Sequence, residues 1–240
     1  MSLGARRLQR AWNADHSLSL LLVVVVTLIF GVTPLLSGVR FGSEISLGFY
    51  ALIALSGVAA VARRADAVIA TGICAAASIA LDWIAYSTGS PVIEVLDVAV
   101  RALFIAAIAV AVVAQVFRPG NVTHHRVQGA IVVYLLAGLA WGYGYEILAL
   151  VQPGAFRIGA GGSSDFLRPG LFRYFSFATL TTLGYGDILP LTPMARSLAT
   201  LEAVVGQLYP TVMIARLITL ELSDRRIARR RRGTADHLPM

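Results

Sequence analysis

The chain has 240 residues, of which 57% are hydrophobic and 14% are charged, and its mean hydropathy is +0.75. This composition indicates a membrane protein rather than a soluble domain. The single cysteine, Cys74, excludes an intrachain disulfide. All twenty basic residues are arginine and the formal charge is +7, and their placement along the chain indicates membrane orientation rather than nucleic-acid binding.

Apolar runs long enough to cross a bilayer recur along the chain. The first, from residue 18 to about residue 36, follows a polar segment over 1–17. It is longer than the apolar region of a usual signal peptide, and no A-x-A cleavage pattern closes it. We therefore expect six transmembrane helices, over residues 18–36, 46–62, 67–86, 94–117, 127–151 and 194–221.

The fourth run carries one arginine, Arg101, in an otherwise apolar stretch. Asp97 lies one helical turn before it, and Asp82 lies at a similar depth on the third run, which crosses in the opposite direction. Ionisable side chains inside a membrane usually have partners. The spacing predicts a structural ion pair among Asp82, Asp97 and Arg101.

Two short patterns around the fifth run invite functional interpretations. His124 and His125 precede it, but neighbouring residues on a helix point apart, so we interpret them as solvated loop residues rather than metal ligands. Within the run, residues 142–144 spell G-Y-G without a preceding threonine pair, so we interpret them as part of the helix. Gly138 and Gly142 form a G-x-x-x-G spacing that allows close helix approach.

Between the fifth and sixth runs the chain changes character. Residues 152–169 are rich in glycine and serine and predict a loop, whereas 170–180 are apolar, aromatic and too short to cross a bilayer. That length suits a re-entrant helix, whose carbonyl end carries the negative dipole that favours a cation. We expect its aromatic side chains to surround the segment that follows: Phe172, Tyr174, Phe175 and Phe177.

Residues 181–187 read T-T-L-G-Y-G-D. Glycine tolerates positive φ, so Gly184 and Gly186 can turn successive backbone carbonyls to one side, which replaces the hydration oxygens of a cation. The run resembles the selectivity filter of tetrameric potassium channels, with the usual T-V-G-Y-G changed to T-L-G-Y-G. We call Thr181–Asp187 the filter segment. Gly-Tyr-Gly alone is often a turn, but the threonine pair, the aspartate and the apolar setting make this pattern far more specific.

The resemblance implies an all-α membrane protein, with six transmembrane helices, a re-entrant pore helix and a filter, assembled as a four-fold symmetric homotetramer. It implies that K⁺ is the permeant ion and that no cofactor is needed. The implied ligands are backbone carbonyls of Thr182, Leu183, Gly184, Tyr185 and Gly186, with the Thr182 hydroxyl. The residues implied to support the filter are Thr181, Asp187, Tyr174 and Phe175. This chain departs from the family at Ala178, where an acidic residue is common, and at Tyr174 and Phe175, which replace a tryptophan pair.

The sixth run matches the inner helix of that family. Gly206 falls where a hinge glycine is common, although close packing explains it equally well, and Pro210 should kink the helix. Helical spacing predicts a cavity-facing set of Gln207, Pro210, Thr211, Ile214 and Ile218. Glu202, in the same span, is expected to be a buried brace against the pore helix, and Glu146 a brace for the outer loop beyond the filter.

The resemblance is strongest over 127–221, and the first four runs match only in number. Such helices often sense voltage, which requires several arginines on the fourth helix, whereas this one carries Arg101 alone. We expect weak or absent voltage dependence. The predicted organisation is a cytoplasmic segment over 1–17, a four-helix domain over 18–117, a linker over 118–126, a pore domain over 127–221 and a polybasic tail over 222–240.

Arginine placement predicts a multi-pass plasma-membrane protein with both termini in the cytoplasm and the filter segment outside. The cluster from Arg225 to Arg232 would anchor this topology or bind anionic lipid headgroups. No nucleophile and base, metal-ligand cluster or phosphate loop suggests an enzyme. Two rivals remain: a non-conducting membrane sensor or accessory subunit with a channel-like pore domain, and a potassium transporter. Transporters of that kind repeat the helix, loop and helix unit, which occurs here once.

Overall fold

The described part of the chain is mainly helical. The computed structural model describes residues 19–32, 35, 52, 73, 76–77, 80–81, 83–84, 87–116, 124–159 and 170–235. The helices are α1 (Ser19–Gly31), α2 (Pro91–Val116), α3 (His124–Val151), α4 (Leu171–Leu180) and α5 (Pro193–Ala235), and the strands are β1 (Phe156–Ile158) and β2 (Ile188–Pro190). A π-helical turn, Thr27–Val32, overlaps the end of α1 and extends one residue beyond it.

Three described helices are long and apolar enough to cross a membrane. The qualifying segments are Pro91–Ala114, Arg126–Val151 and Pro193–Arg216, whereas Ser19–Gly31 is a shorter apolar helix. The predicted second and third runs, 46–62 and 67–86, fall almost entirely outside the described residues, as does Asp82. The structure is therefore that of a mostly helical membrane protein, and the count of six spans stays a prediction.

Local chemistry explains where α2 and α3 begin. Helix α2 begins at Pro91 rather than Glu94, because the first helical position needs no backbone N–H and proline presets a helical φ there. The amides of Ile93 and Glu94 donate to the carbonyl of Ser90. Helix α3 begins at His124, three residues before the predicted start, so the prediction of loop residues at His124 and His125 is wrong.

A two-stranded sheet lies in the region predicted to be a loop. Strand β1 pairs antiparallel with β2, placing Phe156 opposite Pro190 and Ile158 opposite Ile188. The loop prediction over 152–169 is therefore wrong at Phe156–Ile158. A segment of three residues is too short to show the periodicity of a strand. Its pairing also depends on a partner about thirty residues away in sequence.

Two apolar clusters hold the helices together. The larger cluster joins α1, α2 and α3, with Val25, Ile105 and Leu136 fully or almost fully buried. A hydrogen bond of 2.8 Å from the Ser19 hydroxyl to the Gln128 side-chain oxygen adds a polar contact between α1 and α3. The smaller cluster packs α3, β1, α4 and β2 together, and it includes the fully buried Tyr145.

Helix α4 packs against the G-x-x-x-G face of α3. A Cβ atom at Gly138 would lie 2.6 Å from Cε1 of Phe177, and one at Gly142 would lie 2.9 Å from Cα of Arg173. Both distances are far below van der Waals contact. At Gly142 the neighbour is backbone, so only glycine allows this approach, whereas at Gly138 an added Cβ would force the Phe177 ring to shift. The close packing predicted for this face therefore occurs with α4.

Helix α5 is longer than predicted. It begins at Pro193, passes through Pro210 and continues to Ala235, so the backbone of the arginine cluster from Arg225 to Arg232 is helical. The predicted inner helix, 194–221, is the first part of this element.

Candidate functional site

The filter segment has an alternating backbone. Thr182, Gly184 and Gly186 have φ values of 58°, 57° and 79°, so every second residue is left-handed. In an ordinary extended strand successive carbonyls alternate, whereas a left-handed residue at each second position turns them to a common side. Thr182 is the one non-glycine residue with positive φ in the described part of the chain. A β-branched residue there is strained, and such strain is concentrated at functional sites.

The last turn of α4 anchors the Thr181 end of the filter segment, which is the inner end in the predicted topology. The amide of Thr181 donates to the carbonyl of Phe177 at 3.1 Å, and that of Thr182 donates to Thr179 at 2.9 Å. Further along, the amide of Gly184 donates to the carbonyl of Ala178 at 3.0 Å. The position of α4 therefore sets the position of the filter backbone.

A side chain of α5 contacts the inner end directly. The Gln207 amide donates from Nε2 to the Thr182 hydroxyl oxygen at 2.9 Å, and that hydroxyl donates to the Thr181 carbonyl at 2.7 Å. A hydroxyl oxygen can accept two hydrogen bonds. One lone pair of the Thr182 hydroxyl oxygen therefore stays available for a ligand. The two hydrogen bonds also restrict the rotation of this hydroxyl.

Asp187 connects the outer end to its surroundings. Its carboxylate accepts hydrogen bonds from the Tyr174 hydroxyl at 2.8 Å and from its neighbour's amide, that of Ile188, at 3.1 Å. Its backbone carbonyl accepts a bond of 2.7 Å from the amide of Gly159, just after β1. The ring of Tyr174 also stacks on that of Tyr185, with centroids 6.2 Å apart.

The Tyr174 hydroxyl remains the donor in this contact at neutral pH. This residue lies in α4, outside the three candidate membrane spans. Partial desolvation, followed by the hydrogen bond to Asp187, raises the pKa of Tyr174 to about 12. The hydroxyl therefore keeps its proton, and the carboxylate of Asp187 accepts it.

Within one chain, the Tyr174 side chain of α4 contacts the filter segment. Phe172 and Phe175 pack edge-on against Phe156 instead, and Phe177 lies near Phe30, 6.3 Å between centroids. The expectation that all four aromatic residues surround the filter concerns the assembled pore and stays a prediction. Residues three apart share a helix face, so Phe172 and Phe175 turn together toward the smaller cluster and Tyr174 turns away from it.

The two acidic residues predicted as braces lie in different surroundings. Glu202 is fully buried and bonds to Tyr145 and Ser176, on α3 and α4. Glu146 interacts electrostatically with Arg173 at the start of α4 and with Arg101 on α2. The outer loop over 160–169 lies outside the described residues, so the predicted brace from Glu146 to that loop stays a prediction.

Arg101 pairs with Asp97 on its own helix. The guanidinium Nη2 lies 2.6 Å from Oδ2 of Asp97, and Nε donates to Oδ1 at 3.2 Å. Asp82, the third member of the predicted group, lies outside the described residues.

The predicted cavity residues of α5 all lie on an exposed part of the single chain, whereas Gly206 is buried. A Cβ atom at Gly206 would come within 1.9 Å of the Leu180 carbonyl oxygen. That oxygen also accepts a hydrogen bond of 3.1 Å from the Tyr134 hydroxyl. Of the two interpretations of Gly206, these contacts support close packing against the end of α4. The exposed set is Gln207, Pro210, Thr211, Ile214 and Ile218.

Comparison with known proteins covers this region. Residues 147–221 match a family model described as an ion channel. The chain carries an ion channel domain. Among curated proteins, it is similar to the inward rectifier potassium channel Kirbac3.1 of Paramagnetospirillum magnetotacticum, with 48% identity over 44 residues. Those residues are 17% of this chain and 15% of that protein, so the chain spans a small part of the relative's length. No solved structure matches the chain.

The ion channel domain contains β1, α4, the filter segment, β2 and the first part of α5. Three residues with contacts in this region were not predicted: Gly159, which bonds to Asp187, and Ser176 and Tyr145, which bond to Glu202. A lone serine in the apolar run 171–180 was a usable signal, because a buried hydroxyl needs partners. Nothing local indicated Gly159, whose role depends on the chain passing close to Asp187.

Proposed function

We propose that this protein is a potassium-selective channel, in which four chains surround one pore and each contributes one filter segment. The backbone carbonyls of residues 182–186 replace the hydration shell of K⁺, and the Thr182 hydroxyl adds an oxygen at the inner end. The observation that carries this proposal is the left-handed φ at Thr182, Gly184 and Gly186. An alternating backbone of this kind is suited to a row of carbonyls that face one path.

The surroundings of the filter segment support the same proposal. Its outer end is attached through Asp187 and its inner end through Thr182, to α4 and α5 respectively. In neither attachment does a side chain bond to the backbone carbonyl of Leu183 or Gly184. The similarity to a named potassium channel agrees with K⁺ as the permeant ion.

Exposure in the single chain supports assembly. All seven residues of the filter segment are exposed, and Leu183 and Tyr185 expose 57% and 67% of their surface. Large apolar side chains along α5 are also exposed, among them Leu201, Leu208 and Val212. A ring of four copies would cover part of this surface and enclose the path, since one pore loop supplies one quarter of a filter.

The membrane setting forms part of the proposal. The chain would lie in the plasma membrane with both termini in the cytoplasm, because the arginines concentrate on that side of the predicted topology. The helical arginine cluster from Arg225 to Arg232 would then lie near the inner leaflet, where anionic lipids attract it.

Ion flux from the purified full chain in liposomes tests the function. We expect K⁺ to leave loaded vesicles while Na⁺ is retained, and chemical cross-linking to give a species of four chains of 25.5 kDa each. Flux of Na⁺ as fast as K⁺ would overturn the selectivity. A folded tetramer without any flux would favour the non-conducting accessory subunit.

The chain contains its own matched control. Gly186→Ala and Gly144→Ala each remove a glycine from a G-Y-G sequence, and an added Cβ meets no atom within 4 Å at either position. The two sites differ in backbone, because Gly186 has a φ of 79° and Gly144 lies within α3. We expect selective flux to be lost in Gly186→Ala and kept in Gly144→Ala, since only the first change forces an L residue into the left-handed region.

A further inference from the structure

Behind the filter, a carboxyl group of α5 joins three helices. The Tyr145 hydroxyl on α3 lies 2.6 Å from Oε2 of Glu202, and the Ser176 hydroxyl on α4 lies 2.5 Å from Oε1. The Ser176 hydroxyl also lies 2.7 Å from the backbone carbonyl oxygen of Gly138 on α3. All three side chains are fully buried.

Counting protons in these three contacts determines the charge of the carboxyl group. A carbonyl oxygen can only accept, so the contact with Gly138 requires the single proton of Ser176. The contact between Ser176 and Glu202 then needs a proton of its own, because two oxygens 2.5 Å apart without one repel each other. With Tyr145 donating to Oε2, that proton must belong to Oε1 of Glu202.

An ionised Glu202 does not satisfy the same geometry. Only two protons, from Tyr145 and Ser176, would then serve three short contacts. The Ser176 proton would be shared between a carbonyl and a carboxylate, leaving both contacts weak. The neutral acid supplies the third proton and completes a chain of donors from Tyr145 through Glu202 and Ser176 to Gly138.

The charges around Glu202 agree with a neutral group. Its two hydrogen-bond partners, Tyr145 and Ser176, are hydroxyls and carry no positive charge. From α3, the titratable groups that face it are Tyr145 and, through space, Tyr134. From α4 it meets the Ser176 hydroxyl, which does not titrate, while Arg173 on that helix interacts with Glu146. Burying an unpaired carboxylate among such groups is costly.

We propose that Glu202 is a neutral carboxylic acid and a positioning residue, whose proton fixes α4 between α3 and α5. Ser176 lies two residues before Ala178, whose carbonyl accepts the amide of Gly184 in the filter segment. The acid therefore acts on the filter through the placement of α4. This inference concerns the protonation of the folded chain, and it holds whichever ion the channel conducts.

Glu202→Gln is the decisive variant. The glutamine amide has the shape of the neutral acid, donates from its nitrogen to Ser176 and accepts from Tyr145, so all three hydrogen bonds survive. We expect the purified variant to melt at or above the temperature of the wild type near neutral pH, because only the wild type must take up a proton on folding. Glu202→Leu removes both bonds, leaves the buried Tyr145 hydroxyl without this acceptor and leaves Ser176 with its bond to Gly138 alone, so it should melt several degrees lower.

The pH profile separates this role from a purely steric one. A group that keeps its proton in the folded state loses that stabilisation as the pH rises, because the unfolded acid has already ionised. We expect the melting temperature of the wild type to fall more steeply than that of Glu202→Gln, in which this position cannot titrate, as the pH rises above about 4, where the unfolded carboxyl ionises and the folded one keeps its proton. Equal slopes would overturn the proposal.

Infrared spectroscopy of the protein in detergent observes the proton itself. The wild type near neutral pH should show the carbonyl stretch of a buried protonated carboxyl group, and Glu202→Gln should lack it. Glu146→Gln serves as the matched control and should retain the band. A wild-type spectrum without this band contradicts the proposal, even if no variant can be purified. None of these measurements requires ion flux. They can therefore contradict the neutral Glu202 without contradicting the proposed channel function, and a failed flux experiment leaves the neutral Glu202 untouched.

Discussion

At the scale of single residues, Thr182 combines an unfavourable backbone with a well-held side chain. Its φ of 58° is rare for a β-branched residue, yet its hydroxyl both accepts from Gln207 and donates to Thr181. The hydrogen bonds restrict the hydroxyl to one orientation, with one acceptor position left over. The inner end of the proposed ion path therefore depends on a side chain from a different helix.

Gln207→Leu tests this dependence. The substitution keeps the size of the side chain but removes the donor to Thr182, and one neutral hydrogen bond contributes about 0.5–1.5 kcal/mol, or about 2- to 10-fold in an equilibrium. We expect the permeability ratio of K⁺ over Na⁺, measured from reversal potentials, to decrease by about 2- to 10-fold. Thr211→Val is the control, because its hydroxyl bonds to the Gln207 backbone carbonyl at 3.0 Å rather than to the filter segment. An unchanged ratio in Gln207→Leu would show that the bond does not shape the site.

At the scale of helices, α4 is positioned by glycines on both sides. Gly138 and Gly142 allow it to approach α3, and Gly206 allows its carbonyl end to approach α5. The contact at Gly206 is the tightest, since a Cβ there would come within 1.9 Å of the Leu180 carbonyl oxygen. Backbone atoms cannot rotate away as a flexible side chain can, so this contact sets the closest distance between α4 and α5.

Gly206→Ala should therefore destabilise the folded chain by forcing α4 and α5 apart. Overpacking of this kind typically costs about 1–3 kcal/mol, and thermal unfolding of the purified protein would measure it as a lower melting temperature. Gly144→Ala, with nothing within 4 Å of the added Cβ, should be neutral or slightly stabilising, because alanine favours a helix over glycine. A Gly206→Ala protein as stable as Gly144→Ala would favour the hinge interpretation of Gly206.

The sequence predicted those features that depend on local chemistry. Glycines at alternate positions indicated the backbone of the filter segment, and apolar length indicated α2, α3, α4 and the start of α5. Contacts between distant segments were not predictable in the same way. The β1–β2 pairing and the bond from Gln207 to Thr182 arise from the way distant segments meet. The aromatic residues of α4 show the same limit, since composition shows which rings the helix carries but not which neighbour each face meets.

At the scale of the whole molecule, α2 contributes packing rather than mobile charge. Its apolar side chains join α1 and α3 in the larger cluster, where Ile105 and Val112 are fully buried. Its single arginine is paired with Asp97 on the same helix. If α2 moved across the membrane, both charges would move together, and the net charge transferred by the pair would be close to zero.

Membrane voltage should therefore have little effect on conduction. One elementary charge crossing the field gains about 2.3 kcal/mol per 100 mV, and steep gating needs several such charges per subunit. We expect a shallow conductance–voltage relation from the reconstituted protein, and Arg101→Gln should leave its slope unchanged while lowering thermal stability, because Asp97 would lose its partner. Asp97→Asn, which removes the opposite charge, is the matched control. A steep sigmoidal relation that flattens in Arg101→Gln would instead show that Arg101 moves alone through the field.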